Sequence, residues 1–211
     1  MKLESIRREY IGAALHKGNI EKNPYAQFEK WMAEALKVNP EGATSVGLCT
    51  NGIDGFPESR IVLLKGYSTR GFEFYTNYNS SKGKDIEADN RVSLHFFWPE
   101  LERQIRIWGY AEKLSYTQSE AYFHSRPLDS QIAAVISEQS AEVPSRKYLE
   151  EKFDATKAAL KGKAPDCPEN WGGFRVIPVK FEFWQGRENR LHDRLIFEKA
   201  NDEWSIKRLA P

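Results

Sequence analysis

From residue 43 onward the chain reads as short apolar runs, each closed by turn-forming residues. No other feature constrains its fold as much. Ala43–Thr50 is the first run, ended by Asn51-Gly52 and Asp54-Gly55; such dipeptides supply the positive-φ positions of tight turns. Arg60–Lys65 follows, four aliphatic residues bracketed by two cations, and then Phe72–Tyr78 after Thr69-Arg70-Gly71. Arg91–Trp98 and Gln104–Leu114 are joined through Pro99, and the chain closes on Phe174–Trp184, Arg194–Lys199 and Trp204–Leu209. Runs of this length, rich in β-branched and aromatic residues, read as strands. Connections this short join antiparallel neighbours, since a parallel crossover needs a dozen residues or more.

Helical spacing appears only around and between these runs. Asn23-Pro24 reads as an N-cap followed by proline at the first helical position, with Tyr25, Phe28, Met32 and Leu36 as the apolar face. Lys82–Ala88 is one or two polar turns. Thr117-Gln118-Ser119-Glu120 has capping-box spacing and opens a helix reaching about His124. Pro127 breaks it, and Asp129 caps a further helix, Ser130–Glu138. A charged helix runs from about Arg146 to Lys161 on Tyr148, Leu149, Phe153 and Leu160, and the Gly162–Gly173 stretch is a loop. The expectation is a mainly antiparallel β domain with peripheral helices over residues 1–211, preceded by a mobile arm over residues 1–20. A doubly wound nucleotide fold is disfavoured, because no GxGxxG follows a strand.

Charge narrows the partners. The chain has 211 residues, with 31 Lys+Arg against 30 Asp+Glu, a net +1. Proteins that live on nucleic acid or an anionic membrane carry a marked basic excess, so neither is expected as a partner. The sequence is 40% apolar, enough for a core, and no stretch approaches the ~20 apolar residues of a membrane span. Cys49 and Cys167 are far apart and outside any metal-ligand spacing, which favours a reducing, cytoplasmic setting. The histidines His16, His95, His124 and His192 form no metal-binding pair.

Several strands carry cations and amides at positions that otherwise look built for burial. Arg60 and Lys65 flank their aliphatic run, Gln104 and Arg106 alternate with Ile105 and Ile107, and Trp184, Arg190, His192 and Arg194 cluster near the last hairpin. Such alternation is equally the ordinary solvent face of an antiparallel sheet. The loop Asn79-Ser80-Ser81-Lys82-Gly83-Lys84 offers hydroxyls, lysines and backbone amides before a helix, a combination that can cradle a phosphate. An exposed polar turn reads the same way. Tyr122, Arg126 and Ser130 make a second candidate anion site, because the guanidinium fork matches phosphate oxygens. No nucleophile or paired carboxylates stand out. The inventory suits a protein that holds an anionic aromatic cofactor which carries the chemistry.

At the C-terminal hairpin the pattern becomes specific. Phe181-Glu182-Phe183-Trp184-Gln185, then Arg190-Leu191-His192-Asp193-Arg194, closely resembles the signature of the pyridoxine (pyridoxamine) 5′-phosphate oxidase family. So do Arg7-Arg8-Glu9-Tyr10, Arg60 through Lys65, Phe74-Tyr75-Thr76-Asn77, Arg103-Gln104 and Tyr122 through Pro127 with Asp129-Ser130-Gln131. Gln139-Ser140, Trp171 through Arg175 and Arg208-Leu209-Ala210-Pro211 complete the likeness, in family order along nearly the whole chain. The resemblance implies an FMN-binding split β-barrel of Greek-key type, working as a homodimer with FMN at the interface. It implies oxidation of pyridoxine 5′-phosphate or pyridoxamine 5′-phosphate to pyridoxal 5′-phosphate, with O2 as acceptor and H2O2 released, in vitamin B6 metabolism.

Carried over by the resemblance, Arg60 and Lys82 bind the FMN phosphate, with Tyr75, Thr76, Ser81, Gln139 and Ser140 around it. Lys65, Gln104, Trp184 and Arg194 lie by the flavin ring, where cations and donors raise its electron affinity. Lys65, Tyr122, Arg126 and Ser130 match the substrate-phosphate site. Arg190 and His192 match the catalytic residues that hold the pyridine ring, and Arg7 and Tyr10 match a lid. Ser80-Ser81-Lys82 departs from the Ser-Arg-Lys often found in the family, removing one charge-assisted contact to FMN phosphate. A split-barrel flavin reductase acting on another substrate and a carrier without turnover are the alternatives. The filled substrate positions weigh against both.

Overall fold

The computed structural model describes residues 9–201 and 203–211; Arg7 lies outside them. Asn23 accepts a hydrogen bond from the Tyr25 amide and, with Pro24, starts helix α1 (Pro24–Val38). The buried stripe of α1 is Phe28, Trp31, Met32 and Ala35. Leu36, expected on that face, is 40% exposed, so the apolar stripe is rotated toward Trp31.

Nine strands follow among the described residues: β1 (Ser45–Asn51), β2 (Pro57–Leu63), β3 (Gly66–Ser68), β4 (Gly71–Asn77), β5 (Arg91–Trp98), β6 (Arg103–Lys113), β7 (Trp171–Gln185), β8 (Asp193–Ala200) and β9 (Glu203–Leu209). Every pairing is antiparallel, in the order β2-β1-β5-β6-β7-β4-β3, with β8 and β9 continuing from the far part of β7. The sheet curls around Phe28, Phe72, Phe74, Phe96, Phe174, Phe181, Phe183 and Phe197, all almost wholly buried. Each such ring contributes about 2 kcal/mol by leaving water.

Four helices are inserted: α2 (Ser81–Ala88) between β4 and β5, then α3 (Tyr116–Ser125), α4 (Leu128–Ile136) and α5 (Arg146–Leu160) between β6 and β7. Two expected caps move. The capping box of α3 is Ser115 with Gln118, one candidate earlier than Thr117 with Glu120. Helix α4 begins after Pro127 with no side-chain cap, and Asp129 instead pairs with Lys157 of α5 at 2.8 Å. Neither cysteine is in a disulfide. No helix among the described residues is long and apolar enough to cross a membrane.

One irregularity decides which way the second half of β7 faces. Trp108 pairs with Lys180 but Gly109 pairs with Pro178, so Val179 is an extra residue, a β-bulge. Before it the inward residues are Phe174 and Val176; after it they are Phe181 and Phe183. Lys180 and Trp184 therefore stand off the core. Gly109 permits the bulge, because a Cβ there would meet the Ile177 carbonyl oxygen at 2.3 Å.

Candidate functional site

A cavity of about 590 Å³ opens beside β4 and is closed by β2, α2, α3 and α4. Lys65, Tyr75, Thr76, Lys82, Tyr122, Arg126, Ser130 and Gln139 all line it, and none of its lining residues is a carboxylate. Net charge near zero overall thus coexists with a basic cavity. Ile61 and Leu63 of β2, largely exposed, form its apolar wall, while Val62 and Leu64 turn to the core. The alternation inside the Arg60–Lys65 run is what splits its four aliphatics between core and cavity.

At one end, Lys82 Nζ lies 3.0 Å from Gln139 Oε1 and 3.4 Å from Ser80 Oγ. Thr76 Oγ1 donates to the same Gln139 oxygen at 2.8 Å. Arg60 stands behind, its guanidinium donating to Thr50 Oγ1 (2.6 Å) and paired with Asp85 (3.4 Å). Burial and the charge of Arg60 hold the Lys82 ammonium below the ordinary lysine range, with Asp85 opposing. An anion there would relieve that repulsion. Ser81 and Ser140 line a smaller adjoining cavity of about 260 Å³, which also touches Asn77 and Gln139. Ser140 sits at φ 70°, a left-handed conformation uncommon outside glycine.

At the other end Arg126 leaves the last turn of α3 with its guanidinium carbon 4.8 Å from the Trp171 ring. Its Nη1 is buried and has no hydrogen-bond acceptor, and burial holds its pKa below the usual arginine value. A desolvated cation without an acceptor is costly, so this nitrogen marks where a ligand anion would be stabilised. Between the two ends Tyr75, Tyr122 and Trp171 form a stack, with Tyr75 and Tyr122 centroids 3.9 Å apart. Trp171, at the start of β7, carries no sequence signal for this role. It becomes a wall only because β7 pairs with β4.

The remaining residues singled out by sequence lie elsewhere. Gln104, Trp184 and Arg194 face one another across β6, β7 and β8. The Trp184 ring is 4.7 Å from that of His192, and Tyr10 stands edge-on to both. His192 Nδ1 accepts from the Arg187 amide at 3.1 Å, which leaves Nε2 as the proton-bearing nitrogen of the neutral ring. Arg190 is exposed, and it and Asn189 are both left-handed, at φ 61° and 55°. Arg194 is aimed by the buried Glu182, accepting from its Nε at 2.9 Å, and by the Ala210 carbonyl, accepting from Nη1 at 2.7 Å. Glu182 also accepts from Arg106 at 2.5 Å. Burial alone would raise the Glu182 pKa, but the two guanidinium partners hold it below the ordinary glutamate value.

Arg60, Lys65, Lys82 and Arg126 do not meet Arg190 and Arg194 within one chain. Gly173, beside Tyr75, and Trp184, beside Gln104 and Arg194, are eleven residues apart on β7. That is about 35 Å of extended backbone. The cavity and the Trp184–His192 cluster occupy opposite ends of the strand.

Comparison with known proteins gives this arrangement its family. Residues 32–158 match the family model described as pyridoxamine 5′-phosphate oxidase, and residues 171–211 match the pyridoxine 5′-phosphate oxidase C-terminal dimerisation region. The chain belongs to the pyridoxine/pyridoxamine 5′-phosphate oxidase family. It is 49% identical to pyridoxine/pyridoxamine 5′-phosphate oxidase 1 of Hydrogenovibrio crunogenus, over 97% of this chain and 96% of that one. The oxidase of Flavobacterium johnsoniae is 47% identical, over 99% and 98%. Among solved structures, PhzG of Burkholderia lata, in complex with tetrahydrophenazine-1-carboxylic acid, superposes with a TM-score of 0.88. That match has 26% identity and covers 95% of this chain and 99% of PhzG. A pyridoxamine 5′-phosphate oxidase-related, FMN-binding protein of Nostoc punctiforme shares the fold, with a TM-score of 0.73, 18% identity and coverage of 87% and 97%. The split-barrel expectation is therefore met.

Proposed function

We propose that the chain is an FMN-dependent oxidase that converts pyridoxine 5′-phosphate and pyridoxamine 5′-phosphate to pyridoxal 5′-phosphate. The alcohol reacts with O2 to give the aldehyde and H2O2; the amine takes up water as well and releases NH3. The observation that carries the reading is one cavity with two cationic ends, Lys82 at one and the acceptorless Arg126 Nη1 at the other. Two phosphorylated ligands side by side match that spacing of charge.

The residues present fit FMN. Lys82 and Arg60 supply paired positive charge for its phosphate, and Thr76 and Gln139 supply hydroxyl and amide groups in the larger cavity, where no carboxylate lines the wall. Ser81 and Ser140 add hydroxyls from the adjoining cavity, which Glu138 also lines. FMN, when bound, supplies the two-electron acceptor that O2 regenerates. Lys65, Tyr122, Arg126 and Ser130 take the substrate phosphate. Tyr122 is held protonated, its pKa raised by burial despite nearby Arg126, so it donates rather than repels. Gln104, Trp184 and Arg194 belong by the flavin ring and Arg190 and His192 by the substrate ring, with His192 Nε2–H as a fixed donor.

A homodimer reconciles the two groups. In a two-fold assembly the Trp184 end of one chain's β7 can meet the cavity of its partner, and the reverse holds for the second site. The family's C-terminal region, residues 171–211, is described as a dimerisation region and holds four of these five residues, all but Gln104. Two free cysteines accord with a cytoplasmic setting.

The test is the visible spectrum of FMN-loaded protein. Pyridoxine 5′-phosphate added without O2 should bleach the flavin bands, and air should restore them with one H2O2 formed per aldehyde. Protein that fails to take up FMN, or whose bands do not respond to either substrate, would overturn the assignment. The likeness to PhzG makes a polycyclic carboxylate the competing substrate; bleaching by such an acid and not by the phosphates would favour it.

A further inference from the structure

Residues 9–15 form neither helix nor strand, yet their backbone is taken up by side chains from distant parts of the chain. Glu102 Oε2 accepts from two consecutive amides, those of Ile11 (2.8 Å) and Gly12 (2.9 Å). Arg187 Nη1 donates to the Gly12 carbonyl (2.8 Å), Asp193 Oδ2 accepts from the Leu15 amide (3.0 Å), and Arg208 Nη2 donates to the Leu15 carbonyl (2.8 Å). Packing is as close. A Cβ on Gly12 would stand 2.1 Å from Gln185 Nε2, and one on Gly186 would stand 2.5 Å from the Tyr10 ring. This strap sets Tyr10 edge-on to Trp184 at 5.7 Å and to His192 at 5.4 Å.

Glu102 joins both sides of the contact. It sits at φ 54° where the turn after β5 enters β6, and its carbonyl accepts from the Gly186 amide (2.8 Å) and Gln185 Nε2 (3.2 Å). Its backbone thus fixes the corner after β7, while its carboxylate fixes the strap that crosses that corner. Two amide donors on one ionised oxygen are charge-assisted bonds, about twice as strong as neutral ones.

We infer that Glu102 is a positioning residue. Its carboxylate pins the strap so that Tyr10 forms a wall beside Trp184 and His192. The functional half of this inference rests on the assignment of Trp184 and His192 to the reacting rings.

The test compares FMN-loaded wild type with Glu102→Gly, which suits the left-handed backbone and removes the side chain with its carboxylate, and with Glu102→Gln, which keeps the side chain and an oxygen acceptor. In Glu102→Gly the amides of residues 11 and 12 should exchange with deuterium at least about tenfold faster, the loss expected for a bond to a charged acceptor. KM for pyridoxine 5′-phosphate should rise about tenfold on the same grounds, with kcat and FMN affinity nearly unchanged, and Glu102→Gln should recover most of both effects. In a Tyr10→Ala background the same Glu102→Gly change should leave KM where Tyr10→Ala alone puts it. Unchanged exchange at residues 11 and 12 would overturn the inference, as would a KM effect that persists in full without Tyr10. Wild-type protein that binds FMN but ignores both phosphorylated substrates would defeat the proposed function instead. The exchange comparison would then decide the pinning of the strap by itself.

Discussion

Tyr75 of β4 and Tyr122 of α3 lie face to face, ring centroids 3.9 Å apart and planes within 25°. The pair ties together the two elements that carry the opposite ends of the cavity: Thr76 follows Tyr75 toward Lys82, and Arg126 follows Tyr122 by one helical turn. Burial, with the charge of Glu73 behind it, pushes the Tyr75 pKa up to about 12. Both phenols therefore stay neutral at physiological pH and set no negative charge between two phosphate sites.

Arg126→Ala removes the acceptorless guanidinium. KM for pyridoxine 5′-phosphate should rise about ten- to a hundredfold, the range for losing charge-assisted bonds. Turnover of unphosphorylated pyridoxine should be equally poor in both proteins. Steady-state kinetics with the two alcohols checks this; an equal loss on both would remove Arg126 from phosphate binding.

Gly173→Ala tests the stack. A Cβ at Gly173 would stand 2.8 Å from the Tyr75 ring and 2.5 Å from Leu114 Cδ1. Relief requires moving Tyr75, so we expect a loss of about 1–3 kcal/mol in stability from overpacking. FMN affinity should weaken as well. Denaturant titration and FMN titration read the two effects separately.

Ser81→Arg should tighten FMN binding by up to about tenfold, since it adds one guanidinium beside Lys84 and Ser140. Fluorescence titration of apoprotein measures it. No gain in affinity would mean that Lys84 already fills the role.

The lowered Lys82 pKa fixes the sign of a pH effect. An anion favours the ammonium form, so FMN affinity should fall as pH rises through that lowered value, before the ordinary lysine value of 10.5 is reached. In Lys82→Arg the fall should vanish. Apoprotein stability runs the opposite way: between the two values the unfolded chain binds more protons, so stability rises with pH.

Mixing two impaired chains tests the shared site. Co-expressed Arg126→Ala and His192→Ala chains that assort at random give half mixed dimers, each with one undamaged site if the two residues come from different chains. Activity at low substrate should then return to about a quarter of wild type. No recovery would mean that both residues act within one chain.

Most of this architecture is legible in the sequence because turn dipeptides and two-residue alternation are local signals. Gly66–Ser68 escapes, since three residues are too few to show a period. The α3 cap is misplaced because two Ser/Thr-x-x-Glu/Gln frames lie two residues apart, and only packing chooses between them. In the site, cations and hydroxyls are readable as residue types. The stacking of Trp171 on Tyr122 and Tyr75 is not, because it joins three elements from β4 to β7. Nor does any local pattern reveal that Arg190 and Arg194 sit a strand's length from Lys82.

The extra residue at Val179 acts as a phase inverter for everything after it. Without the bulge, an unbroken alternation from Phe174 and Val176 would turn Lys180, Glu182 and Trp184 inward and Phe181 and Phe183 outward. Deleting Val179 itself closes the bulge, so that Lys180 follows Pro178 directly and every later side chain keeps its face. Deleting one residue more inverts the faces of everything beyond it. The strand therefore tolerates the loss of that one residue and not of the next, which binds the length of β7 to the chemistry at its end.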